Sequence, residues 1–108
     1  MPVYVIADIK ITDKAWVPDY AAAVHDIVHR HGGRYLSRSE TVDTLEGTPL
    51  DTDLIALIEF PSKEAVTAFA TDPLYAPFAA ARRSGSDSRL QLIDGNDVAG
   101  TISYLPKG

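Results

Sequence analysis

The chain has 108 residues, of which 45% are hydrophobic and 23% charged, a balance that fits one globular domain and excludes disorder or a collagen-like repeat. Ten Lys and Arg against fifteen Asp and Glu give a net charge of −5. That charge disfavours nucleic-acid phosphates and anionic membrane surfaces as partners. The absence of cysteine excludes disulfides, thiolate catalysis and Cys-ligated zinc or iron–sulfur centres.

The N-terminal MPVYVIADIKITDK has no basic segment followed by a long apolar run, so it does not read as a signal peptide. No stretch approaches the ~18 apolar residues of a membrane span. A cytoplasmic protein is the expectation. A domain of this size buries roughly 65% of its unfolded surface, which leaves little area for a deep private pocket and favours a partner subunit.

Residues Val3 to Ile11 (VYVIADIKI) are β-branched and aromatic-rich and form the first expected strand. Alternation puts Val3, Val5, Ala7 and Ile9 on one face and Tyr4, Ile6 and Asp8 on the other. Both faces are largely apolar, so the strand is expected to be covered on both sides. Thr12 or Asp13 is placed to cap a helix in which Trp16, Tyr20, Val24, Ile27, Val28 and His31 form an apolar stripe. Gly32 and Gly33 end it. Arg34 to Leu45 reads as a second strand, bent or bulged near Ser39, and Glu46 to Thr52 as a turn. Asp53 to Phe60 is the third strand. Ser62 caps a helix carrying Ala65, Val66, Phe69 and Ala70, and Asp72-Pro73 breaks it. Leu74 to Arg83 resumes as helix, with Tyr75, Phe78 and Ala79 inward. Ser88 to Ile93 is the fourth strand. Residues 96–108 form an extension whose TISYL is a candidate edge strand.

The order β-α-β-β-α-β specifies an α+β, ferredoxin-like domain over residues 1–95, with a four-stranded antiparallel sheet and both helical regions on one face. The other face would then be a bare apolar patch. A second copy packed sheet to sheet removes it, so fold and homodimer follow from one pattern.

Four segments, in order, carry a family resemblance: HGGRYLSR (His31 to Arg38), LEG (Leu45 to Gly47), IEFPS (Ile58 to Ser62) and DPLY (Asp72 to Tyr75). Together they resemble the domain-of-unknown-function 1330 family of the dimeric α/β-barrel superfamily, from about Val3 to about Gly95. The resemblance implies a ferredoxin-like protomer whose sheet closes on that of a second copy, without a settled activity. Superfamily relatives include cofactor-free monooxygenases, lactone isomerases, polyketide cyclases and ligand-binding proteins. Phe69-Ala70 stands where the family often has an aromatic pair, and the tail beyond Gly95 is longer than usual.

Asp8 is the principal candidate for chemistry, because a carboxylate among apolar strand neighbours is costly unless paired. It reads either as a general base or acid with a raised pKa, or as a carboxylate that is solvated at a frayed strand end or paired with an arginine. Glu59 follows the same logic. With the first and third strands adjacent and parallel, the two carboxylates would be neighbours; the competing reading pairs Glu59 with Arg34, Arg38 or Arg82. Arg34 and Arg38, four apart on one strand, would share a face and anchor an anionic or carbonyl ligand. Arg82 and Arg83 follow the second helical region; one of them would reach the same cleft, while a solvated helix end is the commoner outcome for such a pair. Tyr4 would orient a substrate oxygen, and Tyr20, Tyr75 and Phe78 would line an aromatic cleft; each alone is more often packing. His31 would cap the helix or face the cleft. His25 and His29 have metal-binding spacing on a helix but fall on its wet side, so no metal is expected. No Ser-His-Asp elbow or phosphate loop is present.

The sequence therefore points to a cofactor-free enzyme on a small molecule. Isomerisation, cyclisation, lactone chemistry and oxygenation are the reaction types, with Asp8, Arg38, Tyr4 and Glu59 as catalytic candidates. Arg34, His31, Tyr20, Tyr75, Phe78 and Arg82 are the substrate-binding candidates. The alternative is a non-catalytic binding or sensor homodimer.

Overall fold

Alternating burial along the first strand sets the architecture. In the computed structural model, which describes all 108 residues, β1 (Val3–Ile11) buries Val3, Val5, Ala7 and Ile9 on one side. It is flanked by β3 (Leu54–Phe60) and β4 (Ser86–Asp94), and β2 (Arg34–Ser39) lies outside β3. The sheet order is β2-β3-β1-β4, and every pairing is antiparallel. α1 (Val17–Arg30), α2 (Lys63–Ala70) and α3 (Ala76–Ser84) supply Val24, Ile27, Val28, Phe69 and Ala79 to the core over the Val3–Ile9 side. The fold is the expected α+β, ferredoxin-like one.

The helix boundaries follow capping chemistry. Asp13 accepts from the Ala15 amide at 2.9 Å and starts a single 3-10 turn, Lys14–Trp16, from which α1 continues with Pro18 in its first turn. Gly32, with φ +77°, takes the left-handed position that closes α1. Ser62 accepts from Ala65 at 3.1 Å and opens α2. Asp72 accepts from Leu74 at 2.9 Å in the break before α3. Gly85 lets the chain pass under Trp16, whose indole Nε1 donates to the Gly85 carbonyl at 3.0 Å; a Cβ there would collide with the ring.

Three sequence expectations are corrected. First, β1 and β3 are antiparallel, because α1 carries the chain across to the sheet edge and β3 returns between β2 and β1. Asp8 therefore faces Ile55 and Tyr4 faces Glu59. The two carboxylates lie about four residues, ~13 Å, apart along the strands and are not neighbours. Second, the bulge falls between Tyr35 and Ser37, and pairing ends at Ser39 opposite Ile55. β3 begins at Leu54, so Glu40 to Leu45 have no strand to pair with. The extra residue flips the face of the residues after it: Arg34 pairs with Glu59 but Arg38 with Ala56. The two arginines lie on opposite faces. Third, TISYL does not join the sheet; Ile102 and Leu105 bridge to each other within the tail.

The core centres on Phe60, Val24 and Val28. Phe69 stacks between Phe60 and Tyr75, at centroid distances of 5.6 and 4.3 Å. His31 packs on Phe69, and its Nε2 lies 2.8 Å from Asp72 Oδ2, tying the end of α1 to the α2–α3 link. The His31 contact, then the Leu74 amide, holds the Asp72 carboxyl below its ordinary pKa of 3.8. Such a group stabilises the fold above its unfolded pKa, and that contribution is lost as pH falls through the lower folded value. The melting-temperature gap between wild type and Asp72→Asn is expected to be widest above pH 3.8 and to close below it. A gap that stays constant on acidification would mean the His31–Asp72 contact does not contribute.

The other sheet face carries no helix. Tyr4, Ile6, Ile55 and Leu57 lie half-buried there, with Ile93 exposed. The protomer is thus a two-layer slab 18 Å thick with one layer uncovered. No helix is long and apolar enough to cross a membrane.

Candidate functional site

Two alanines in register make room for a cavity. Ala7 of β1 lies opposite Ala56 of β3, where larger strand residues would fill the helix–sheet gap. The resulting cavity of about 300 Å³ is predominantly apolar. That is the lower end of the size range for small-molecule sites. Val5, Ala7, Ala56 and Ile58 form its floor, α1 and α2 contribute Tyr20, Val66 and Phe69, and Tyr35 and Leu92 stand at the sheet edges.

A few polar groups interrupt this lining. The Tyr20 and Tyr75 hydroxyls are 2.9 Å apart and bonded to each other. Burial, then the adjacent Tyr75, pushes the Tyr20 hydroxyl well above the ordinary tyrosine range. Burial likewise raises Tyr35, against the opposing effect of Arg38. Both hydroxyls are therefore protonated donors at neutral pH. Arg38 lies over the Tyr35 ring, 4.1 Å from its centroid. Arg82 is only 5% exposed; its Nη1 donates to Ser88 Oγ, and its Nε–H has no acceptor. Burial acts to lower the Arg82 pKa, but the Tyr75 and Tyr20 hydroxyls outweigh it and the net shift is upward. His25 reaches the rim, with Nδ1 3.2 Å from the Ala21 carbonyl and Nε2 3.3 Å from Asp26. No Asp or Glu lines the cavity.

Of the residues singled out in the sequence, the cavity brings together Arg38, Tyr20, Tyr75 and Arg82. Asp8, Tyr4, Glu59 and Arg34 lie on the uncovered sheet face instead. Arg89 Nη2 donates to Asp8 Oδ2 at 3.0 Å, and Asp8 Oδ1 is buried without a partner. Arg34 Nε donates to Glu59 at 3.1 Å. Both carboxylates are thus answered by an arginine, the competing reading of each. His31 is engaged by Asp72 outside the cavity. Phe78 lines a separate shallow groove with Trp16, Asp19, Tyr20, Pro77 and Ala81. The His25 and His29 rings meet edge to face at 6.0 Å, with no third metal-ligating side chain beside them.

Sequence reasoning missed Tyr35, Trp16 and His25 as lining residues. Tyr35 was legible only with the bulge in place. Trp16 and His25 carried no signal beyond helix periodicity. The alanines within two otherwise large-residue strands were the available sign of a cavity.

A family model for a domain of unknown function, DUF1330, matches residues 2–96. The chain belongs to this family. No curated protein matches it. Among solved structures it is similar to RPA0582, a protein of unknown function from Rhodopseudomonas palustris. The TM-score is 0.73 at 21% identity, covering 89% of this chain and 83% of that one. It is also similar to SnoaB, a cofactor-independent oxygenase from Streptomyces nogalater, with a TM-score of 0.64 at 15% identity over 89% and 94% of the two chains. A dimeric ferredoxin-like protein of unknown function from Thermobifida fusca gives 0.55 at 14% identity over 87% and 91%. At these identities the likeness is one of fold.

Proposed function

We propose that this DUF1330 chain is a homodimeric, cofactor-independent enzyme that holds a small, largely apolar molecule in the helix–sheet cavity. The observation that carries this reading is the 300 Å³ space itself, a predominantly apolar lining into which the Tyr20, Tyr35 and Tyr75 hydroxyls and the Arg38 and Arg82 guanidiniums are set, with His25 and Gln91 also in the lining. Tyr20, in its pair with Tyr75, donates a hydrogen bond to a substrate oxygen. Arg38 stabilises negative charge that develops during reaction. Isomerisation, cyclisation, lactone chemistry and oxygenation of a readily ionised substrate all need that stabilisation. A fold shared with SnoaB, described as a cofactor-independent oxygenase, is compatible with this class.

The proton-shuttling role expected of Asp8 has no place in this reading, since Asp8 lies across the sheet from the cavity. Asp8, Tyr4, Glu59 and Arg34 serve the dimer contact instead. The half-buried Ile6, Ile55 and Leu57 around them favour a second copy as the cover. The lack of any carboxylate base in the cavity favours a second reading, a non-catalytic binding or sensor dimer.

Metabolite profiling separates these. Wild type and Leu92→Trp, which plugs the cavity at a half-open position, are each incubated with a small-molecule extract and analysed by mass spectrometry. An enzyme consumes at least one component that Leu92→Trp leaves intact. A binding module retains a component and releases it unchanged. If neither protein retains or consumes anything, the cavity is not a ligand site.

A further inference from the structure

The cavity wall contains a buried cation with no counter-ion. Arg82 is 5% exposed, and no carboxylate lies within ion-pair distance of it, although the chain carries five more acidic than basic groups. Five of the six carboxylate contacts of the protein engage Lys10, Arg34, Arg89 or His25 at the surface, and one engages His31. Around Arg82 the neighbours are the Tyr20 and Tyr75 hydroxyls and Ser88, all neutral. The tyrosine hydroxyls lend their dipoles to the guanidinium, but no formal negative charge answers it, and a buried cation in that state favours an anionic partner. Its Nε–H, buried and without an acceptor, adds the cost of an unmade hydrogen bond. Tyr20 does not supply the missing charge, since it stays protonated.

Building on the ligand-site reading above, we propose that the cavity takes a monoanion, an apolar body bearing one carboxylate, whose head group lies against Arg82 beside the Tyr20–Tyr75 hydroxyl pair. The ligand is charged before any reaction occurs. One buried cation matches one negative charge; a phosphate dianion would leave a second charge uncompensated in an apolar wall. The aromatic and aliphatic lining takes the remainder of the molecule. Arg38, exposed at the rim over Tyr35, guides the anion in without being its seat.

Calorimetric titration of the full-length protein with 2-naphthoate, 2-naphthamide and 2-naphthyl phosphate tests this. Naphthoate is expected to bind about tenfold more tightly than the amide, the usual difference between a charged and a neutral hydrogen-bond acceptor. The phosphate is expected to bind more weakly than naphthoate. Arg82→Gln should erase the preference for naphthoate over the amide, and Arg38→Gln should keep most of it. Equal binding of acid and amide to the wild type overturns the head-group assignment while leaving the cavity as a neutral-ligand site. That comparison decides the matter even where Arg82→Gln does not fold. Tighter binding of the phosphate, or loss of the preference in Arg38→Gln, also overturns it. Absence of binding by all three probes removes the ligand-site reading together with this one.

Discussion

Leu57→Glu is expected to leave the protomer folded and to convert the proposed dimer of two 11.7 kDa chains into a monomer. Leu57 sits in the middle of β3 on the uncovered face, opposite Ile6, and makes no contribution to the helix-side core. The substitution therefore spares the fold. In a two-fold sheet-to-sheet dimer it enters the interface twice. Burying an unpaired charge costs several kcal/mol each time, so the dissociation constant is expected to rise by at least about a thousandfold. Sedimentation velocity at micromolar concentration reads this directly. A variant that still sediments as a dimer would place the subunit contact elsewhere, and a wild type that is already monomeric would leave the apolar face without the proposed cover.

The second large effect falls on the core. Phe60 is 1% exposed, closes the end of β3, and stacks on Phe69. Gly33 is pressed against its ring so closely that a Cβ there would lie 2.7 Å away. Phe60→Ala removes this packing and leaves a void, at a cost of about 3–5 kcal/mol. Domains of this kind are stable by only about 5–15 kcal/mol, so a large fraction of the total is lost. The melting temperature followed by circular dichroism is expected to fall by on the order of 15 °C. A fall of only a degree or two would mean that Phe60 is not a core residue. Phe60 also lines the helix–sheet cavity, so, on the proposed ligand-site reading, the variant binds larger apolar probes than the wild type does.

The strands and helices were largely readable from the sequence because their signals are local. The burial alternation of Val3 to Ile11, the cap at Ser62 and the break at Asp72-Pro73 each act within a few residues. The β-α-β-β-α-β order then leaves few topologies to choose from. The face assignments of the site were harder. Parity puts Asp8 and Tyr4 off the Val3–Val5 face, but it does not say which face receives the helices when both are apolar. Arg34 and Arg38 were assigned to one face because even spacing assumes an unbroken ladder. A single unpaired residue at Leu36 undoes that assumption and delivers Arg38 to the cavity. The sequence makes Arg82 a substrate-binding candidate at a helix end but carries no sign that it is buried. Its burial depends on Ser88, Tyr20 and Tyr75, which are brought together only by the finished fold.

The proposed ligand side of the sheet is the one the helices cover. The direct measurement is a crystal structure of the full-length protein grown with 2-naphthoate. The expected result is ligand density between Tyr20, Tyr35 and Leu92, with the carboxylate against Arg82. Density on the opposite face, against Asp8 and Arg89, would contradict it.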